Sequence, residues 1–291
     1  MKEKIIQLID SAGNLPRDLF NKYALKEVPL YFSFDNEHYF RENTDYSNKD
    51  FYLHMQKYPQ QVPKTSAANV YDWLNNIKEL YDEGFNRFIV TTIASKLSAS
   101  YSNATTAFNI FQQSIKDIQV EIFDSQTCAC GQAALEIKIA QMIHTGKMNW
   151  EEIIGRTKGL ITKTASLFTV EELTYMKAGG RIGGAAAFLG SLIKIKPICE
   201  FKNGVVHPVS MVRVRKKALD YLVNICVVRI GDPRESVIVT QNALCEEDEQ
   251  YLVDSLKQKL GQDIEIFRSQ VGTSVGSHSG PGSIGVGFVN T

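Results

Sequence analysis

Long apolar runs are missing from this chain: no stretch approaches the roughly 18 residues that a membrane-spanning helix needs. Excess charge of either sign is missing too. The 32 Lys and Arg residues offset 32 Asp and Glu, which leaves no electrostatic case for nucleic acid or an anionic membrane as an obligate partner. Cysteine is scarce, with five in all, and Cys128 and Cys130 stand too close together for an ordinary bridge. No Cys/His spacing matches a zinc site. Cys199, Cys226 and Cys245 read as small buried hydrophobes in a reducing compartment. The stretch Met1–Asp10 carries charge without an apolar core segment, so the expectation is a cytoplasmic protein without a secretory leader.

Several chemical signatures are missing as well. The chain has no G-x-x-x-x-G-K-[ST] loop, no G-x-S-x-G elbow and no H-E-x-x-H pair. Gly280–Gly285, inside GSHSGPGSIGVGF (276–288), does fit G-x-G-x-x-G. Few residues follow it, whereas a dinucleotide fingerprint must open a helix within a βαβ unit of about 30 residues. No cofactor is expected.

What is present describes a globular chain with a substantial core: 291 residues, 44% apolar and 22% charged, enough for two ordinary domains. Residues 4–9 read as a buried strand, followed by a turn at Asp10–Asn14 and a helix after Pro16. Val70, Trp73, Leu74, Ile77, Leu80 and Tyr81 share one helical face, and Gly84 suits the position after the helix end. A strand at 87–93, a helix at 101–116, a strand at 120–123 and a helix at 131–145 continue the alternation. That rhythm predicts an α/β fold with a doubly wound parallel sheet over residues 1–155. The rhythm of 156–291 differs. Asn149 and Glu152 have capping-box spacing, and a hairpin around Asn203-Gly204 joins 195–201 to 205–209. A strand at 237–239, a helix at 246–260 and a last strand at 264–267 complete a mixed α+β domain.

Four polar, small-residue segments are poorly explained by a core. Asp10–Asn14 lies at the carboxyl end of the first strand, where open α/β sheets hold ligands; an Asx-capped turn explains it equally well. Thr65 and Ser66 precede the 70–83 helix, and Ser95 and Ser98 precede the next. Two such loops on one sheet edge would offer neutral donors and helix-start N–H groups to a carboxylate or phosphate, although plain helix caps use the same residues. Met176–Ala185 frees the backbone around Arg181, whose planar fork suits an oxyanion or an acidic surface; a solvated arginine is the plainer reading.

Taken in order, the Asp10-Ser11 loop with Leu15-Pro16, VPL (28–30), PKTS (63–66), SKLSASY (95–101), FDS (123–125), LTYMKAGGRI (173–182), GSLIKIKPI (190–198), VRVRKKAL (212–219) and GSHSGPGSIGVGF resemble the DegV family of bacterial lipid-binding proteins. Within it they resemble the fatty-acid-binding subunit of bacterial fatty-acid kinase. The resemblance spans nearly the whole chain. It implies a long-chain fatty acid in a buried apolar tunnel between two domains, with Thr65, Ser66, Ser95, Ser98 and His278 holding its carboxylate. Arg181 is implied near the head group, where an ATP-dependent kinase subunit docks, and Arg213 and Arg215 are further candidates for that contact. The chain itself then does no chemistry, and transient membrane contact is compatible with the role. The sequence departs from the family pattern with Ile9 in the first loop, Ala67-Ala68-Asn69 after Ser66, and a methyl at Ala99 where glycine is common. The competing reading is a hydrolase or acyltransferase with Ser98 or Ser95 as nucleophile and His278 as base; only Asp10 and Asp124 suggest themselves as its orienting carboxylate.

Overall fold

A computed structural model describes residues 4–189 and 195–291. Residues 1–3 and the first five residues of the GSLIKIKPI segment fall outside them. In chain order the elements begin with β1 (Ile5–Asp10), α1 (Asp18–Tyr23), β2 (Lys26–Val28), β3 (Tyr31–Ser33), β4 (Phe40–Arg41), α2 (Asn48–Lys57) and β5 (Lys64–Ser66). There follow α3 (Val70–Asp82), β6 (Arg87–Thr92), α4 (Ser100–Ser114), β7 (Gln119–Asp124), α5 (Ala129–Thr145) and α6 (Trp150–Thr162). Then come β8 (Thr164–Thr169), α7 (Thr174–Ala178), β9 (Lys196–Lys202), β10 (Val205–Val212) and α8 (Arg215–Arg229). The chain closes with β11 (Val237–Asn242), α9 (Glu246–Leu260), β12 (Phe267–Gln270), α10 (Thr273–Ser279) and β13 (Ile284–Val289).

Two large sheets result. The first is parallel, in the order β2-β1-β6-β7. The second, β10-β9-β8-β13-β11-β12, is antiparallel except for its β11–β12 edge. The alternating side chains of β1 explain how the layers stack, because successive residues face opposite sides. Ile6 and Leu8 pack with Trp73 and Ile77 of α3 and with Phe108 of α4, whereas Ile9 packs with α5. On its other side α5 meets Val237, Val239 and Val289 of the second sheet. The far face of that sheet is covered by Leu219 and Leu222 of α8 and by Leu252 and Leu256 of α9. Helix α5 is therefore the central layer, apolar nearly all round, as a helix between two sheets must be. Its small residues let the second sheet come close: an ideal Cβ on Gly287 would lie 2.1 Å from the Cys130 carbonyl carbon.

Several expectations hold in detail. The capping box Asn149/Glu152 is formed, and Asn203 and Gly204 both take positive φ, 51° and 77°, in the β9–β10 turn. Position 155 lies inside α6, which packs on α5; the parallel sheet ends at β7 and the mixed one begins at β8. Two local expectations are corrected. Thr65 and Ser66 do not open a helix: they pair with β3 in a small three-stranded sheet, and Asn69 caps α3. Residues 264–267 are not the last strand, since β12 starts at Phe267 and β13 follows. Gly285 and Gly287 of the closing segment lie against Cys130 of α5 and belong to a central strand.

Among the described residues, no helix is long and apolar enough to cross a membrane, and no group of His, Cys, Asp and Glu side chains could hold a metal ion.

Candidate functional site

A cavity of about 310 Å³ lies where the two sheets and α10 meet. Its walls are largely apolar: Leu30, Ile93, Leu97, Phe168, Met176 and Phe201 contribute, with Phe168 and Phe201 stacked at a ring separation of 5.1 Å. Thr65, Ser66, Ser98, Arg181 and His278 line the same space. Leu97, Ser98, Ala99 and Arg181 also line a shallow surface recess, so the Ser98–Arg181 side is where the cavity reaches the exterior.

Each polar group is placed by its element. Helix α10 carries His278 to Thr65, whose Oγ1 lies 2.9 Å from Nε2 of the imidazole. The ring rests on Gly179, where an ideal Cβ would come within 1.9 Å of Nδ1. Nδ1 itself is buried without a hydrogen-bond partner. Burial holds the His278 pKa down at about 4, helped by the positive charges of Arg181 and Lys64, so the ring is neutral near pH 7. Arg181 donates through Nε to the Leu97 carbonyl (3.2 Å) and through its guanidinium to the Gly179 carbonyl (2.6 Å). It ties the loop before α4 to the loop that supports His278.

That first loop is held from beneath by Asp10. Its carboxylate accepts from the Ile93 N–H (2.9 Å) and the Ser100 hydroxyl (2.6 Å) on one oxygen, and from the Ala12 N–H (3.3 Å) and Gln132 Nε2 (2.8 Å) on the other. Burial raises the Asp10 pKa, and these bonds oppose the rise. Ser98 Oγ accepts from the Ser100 N–H (3.3 Å), and no side chain caps α4 at Ala99. The methyl of Ala99 sits on ordinary backbone, φ −76°, and strains nothing.

The structure thus brings Thr65, Ser66, Ser98, His278 and Arg181 around one cavity, and sets three other candidates apart. Ser95 faces only the surface recess and donates to Asp124 at 2.5 Å. Arg215 is paired with Asp248 at 2.8 Å. Arg213 is exposed and does not line the cavity. His278 lies on a helix, because residues 273–279 make one helical segment before the turn at Gly280–Gly282. For the Ser/His reading, Nε2 of His278 is engaged by Thr65, Nδ1 has no carboxylate partner, and Ser95 is paired with Asp124. Sequence reasoning missed Phe168 and Phe201, ordinary strand residues by pattern. It also missed Glu42, which lies in a loop without any motif.

The family model for "Uncharacterised protein, DegV family" matches residues 4–291. The chain belongs to the DegV family. A DegV domain-containing protein of Clostridium acetobutylicum is 30% identical over 281 residues, 97% of this chain and 96% of that protein. Among solved structures, a stearic acid-binding protein from Eubacterium ventriosum superposes with a TM-score of 0.92 at 25% identity, covering 99% of this chain and 98% of its own. DegV of Bacillus subtilis, a fatty acid binding protein, superposes at 0.87 with 26% identity over the full length of both chains. The chain, with its one parallel and one mixed sheet, shares the fold of both structures.

Proposed function

We propose that the chain binds one long-chain fatty acid, tail within the cavity and carboxylate among Thr65, Ser66, Ser98 and His278, and presents that carboxylate to a separate ATP-dependent kinase. The observation that carries the reading is the arrangement of a largely apolar cavity whose neutral polar donors lie on the side that opens to the surface at Arg181. A carboxylate buried without donors would cost several kcal/mol, and here the Thr65, Ser66 and Ser98 hydroxyls are in place to receive it. With its proton on Nε2, the neutral His278 ring donates to the Thr65 hydroxyl and so frees the Thr65 proton for the anion. Each buried methylene adds about 0.8 kcal/mol, so the tail supplies most of the affinity and the polar set fixes orientation. Fatty acid or stearic acid binding by the two structural relatives supports the ligand class.

The kinase part is supported by the ordered motif resemblance and by the exposed guanidinium of Arg181 beside the opening. Holding an acyl-phosphate there needs no catalytic group from this chain. Organic extraction of the purified protein followed by mass spectrometry tests the binding claim: a stoichiometric long-chain fatty acid is expected. Its absence, together with failure to take up an added one, removes the reading. With a fatty-acid kinase and ATP supplied, His278→Ala should lower acyl-phosphate yield more than it lowers lipid retention.

A further inference from the structure

Glu42 lies fully buried just after β4, with both carboxylate oxygens engaged. Oε1 accepts from the Ser274 N–H at 2.8 Å and from the Thr273 hydroxyl at 3.3 Å. Oε2 accepts from the Ser11 hydroxyl at 2.5 Å, and Ser11 Oγ in turn accepts from the Leu30 N–H at 2.9 Å. Thr273 and Ser274 are the first turn of α10, whose own N-cap is Gly272 and supplies no side chain. The missing side chain is what admits Glu42, because a Cβ at Gly272 would lie 2.3 Å from Oε1. The helix that carries His278 is therefore capped by a carboxylate from a distant part of the chain. Tyr52 fastens the preceding turn by donating to the Val271 carbonyl at 2.7 Å.

We infer that Glu42 is a positioning residue for the head-group site: by holding the first turn of α10 it sets where His278 meets Thr65, and by gaining or losing a proton it couples that placement to pH. The link to ligand binding rests on the fatty-acid reading; the link to His278 does not. An ionised carboxylate is the stronger acceptor and places negative charge at the positive start of the helix. Once protonated, it holds the same donors less tightly and the cap weakens. Burial pushes the Glu42 carboxyl up to about 7, against the lowering effect of its Ser11 and Ser274 bonds. Among the charged and titratable groups around it, Glu27 is a second buried carboxyl whose own pKa burial raises, so its titration has to be separated from that of Glu42. Glu27 on β2 adds a negative charge that raises Glu42 further, and is itself tied to Arg17 and Asn43. Tyr52 on α2 is held neutral by burial, and His278 on α10 stays neutral down to about pH 4.

The test follows the His278 imidazole signal by NMR in ligand-free protein between about pH 5.5 and 8.5, with His278→Asn used for assignment. A shift with its midpoint near the Glu42 pKa is expected in the native chain, together with a flat response in Glu42→Gln. Ser11→Ala removes a donor to the carboxylate and should move the midpoint upward, a readout that serves even if Glu42→Gln folds poorly. A native signal without inflection, an identical inflection in Glu42→Gln, or an unmoved midpoint in Ser11→Ala overturns the assignment. In parallel, fatty-acid affinity should be several-fold weaker at the acid end than at the alkaline end in the native chain, and independent of pH in Glu42→Gln. Equal native affinity at both ends removes the coupling to binding. A chain that binds no fatty acid at the alkaline end yet keeps its NMR inflection removes the ligand reading and leaves the role of Glu42 standing.

Discussion

The loop of residues 93–100 has two faces, and they are treated differently. Its inner face meets Asp10, a carboxylate belonging to the protein that receives four donors: two backbone N–H groups, a hydroxyl and an amide. Its outer face, with Ser98, looks into a cavity where Thr65 and His278 meet one another. The first arrangement shows how this fold solvates a buried carboxylate. The second gathers hydroxyls and an imidazole, with no Asp or Glu side chain among the described residues that line it. That contrast, more than the shape of the cavity, is what supports the proposal of an anionic head group.

The most severe way to break the contrast is to empty its inner half. Asp10→Ala leaves the Ile93 N–H and the Ser100 hydroxyl buried without an acceptor, while the Gln132 amide keeps only its bond to Glu136. With each orphaned group costing about 1–3 kcal/mol and some relief from rearrangement, the expected loss is about 3 kcal/mol. Chemical denaturation measures it. A loss below about 1 kcal/mol would mean that the loop is held by its helix rather than by Asp10.

How much of this was readable in the sequence follows from the same residues. The strand at 5–10 and the helix at 70–82 were legible because hydrophobic period and capping chemistry agree there. The hydroxyl loops stood out because Ser and Thr cluster where no core requires them, and the structure places Thr65, Ser66 and Ser98 on one cavity. Glu42 was not, since its role depends on α10, far away in sequence, and nothing local marks it. Nor was the helical state of His278: a short segment rich in glycine and serine has weak propensity, and its helix is set by the Glu42 cap and by packing on Tyr175 and Tyr52. Phe168 and Phe201 alternate along strands as any buried residue does, so only the register of β8, β9 and β10 shows that they share a cavity wall.

The outer half is broken more selectively at Gly179. Its φ is ordinary, −80°, so Gly179→Ala strains no backbone, but the new methyl would occupy the position of the His278 ring. Moving the imidazole off Thr65 should cost the one or two head-group hydrogen bonds that depend on it, about 10- to 100-fold in fatty-acid affinity. The melting temperature should change little. Because both changes act through one ring, Gly179→Ala combined with His278→Ala should bind no worse than His278→Ala alone. Additive losses would show that Gly179 acts elsewhere.

Acid sharpens the comparison, because the buried Glu42 carboxyl and the His278 imidazole respond with opposite sign. His278 has its folded pKa depressed from 6.5 to about 4. Its neutral form is favoured by the fold, so stability is lost as pH falls from about 6.5 toward 4. Glu42 has its pKa raised from 4.5 to about 7; its contribution is complete below 4.5 and is lost as pH rises toward 7. His278→Ala should therefore remove the acid-side loss, and its stability relative to the native chain should improve by about 1–2 kcal/mol between pH 7 and pH 4.5. Equilibrium unfolding at those two pH values decides the matter. A parallel pair of curves would place the His278 ring in contact with solvent.

The arginines give the smallest effect and separate framework from surface. Arg215 opens α8 and donates to Asp248 of α9 at 2.8 Å, with Glu171 within 3.9 Å of the same guanidinium. Its side chain is about one-fifth exposed, so it braces two helices, and Arg215→Ala should cost about 1 kcal/mol of stability without touching fatty-acid affinity. Arg213, two residues earlier and exposed, should cost nothing measurable in either assay. Arg181 differs from both, since its bonds to the Leu97 and Gly179 carbonyls join the two loops that frame the opening. Arg181→Lys keeps the charge but cannot span both carbonyls with a planar fork. It should therefore weaken fatty-acid binding by a few-fold while leaving unfolding unchanged. If Arg181→Lys binds as the native chain does, charge alone matters at the opening and the bridge between the loops is incidental. If Arg213→Ala weakens binding while Arg181→Lys does not, the head group lies further along the surface than the cavity places it.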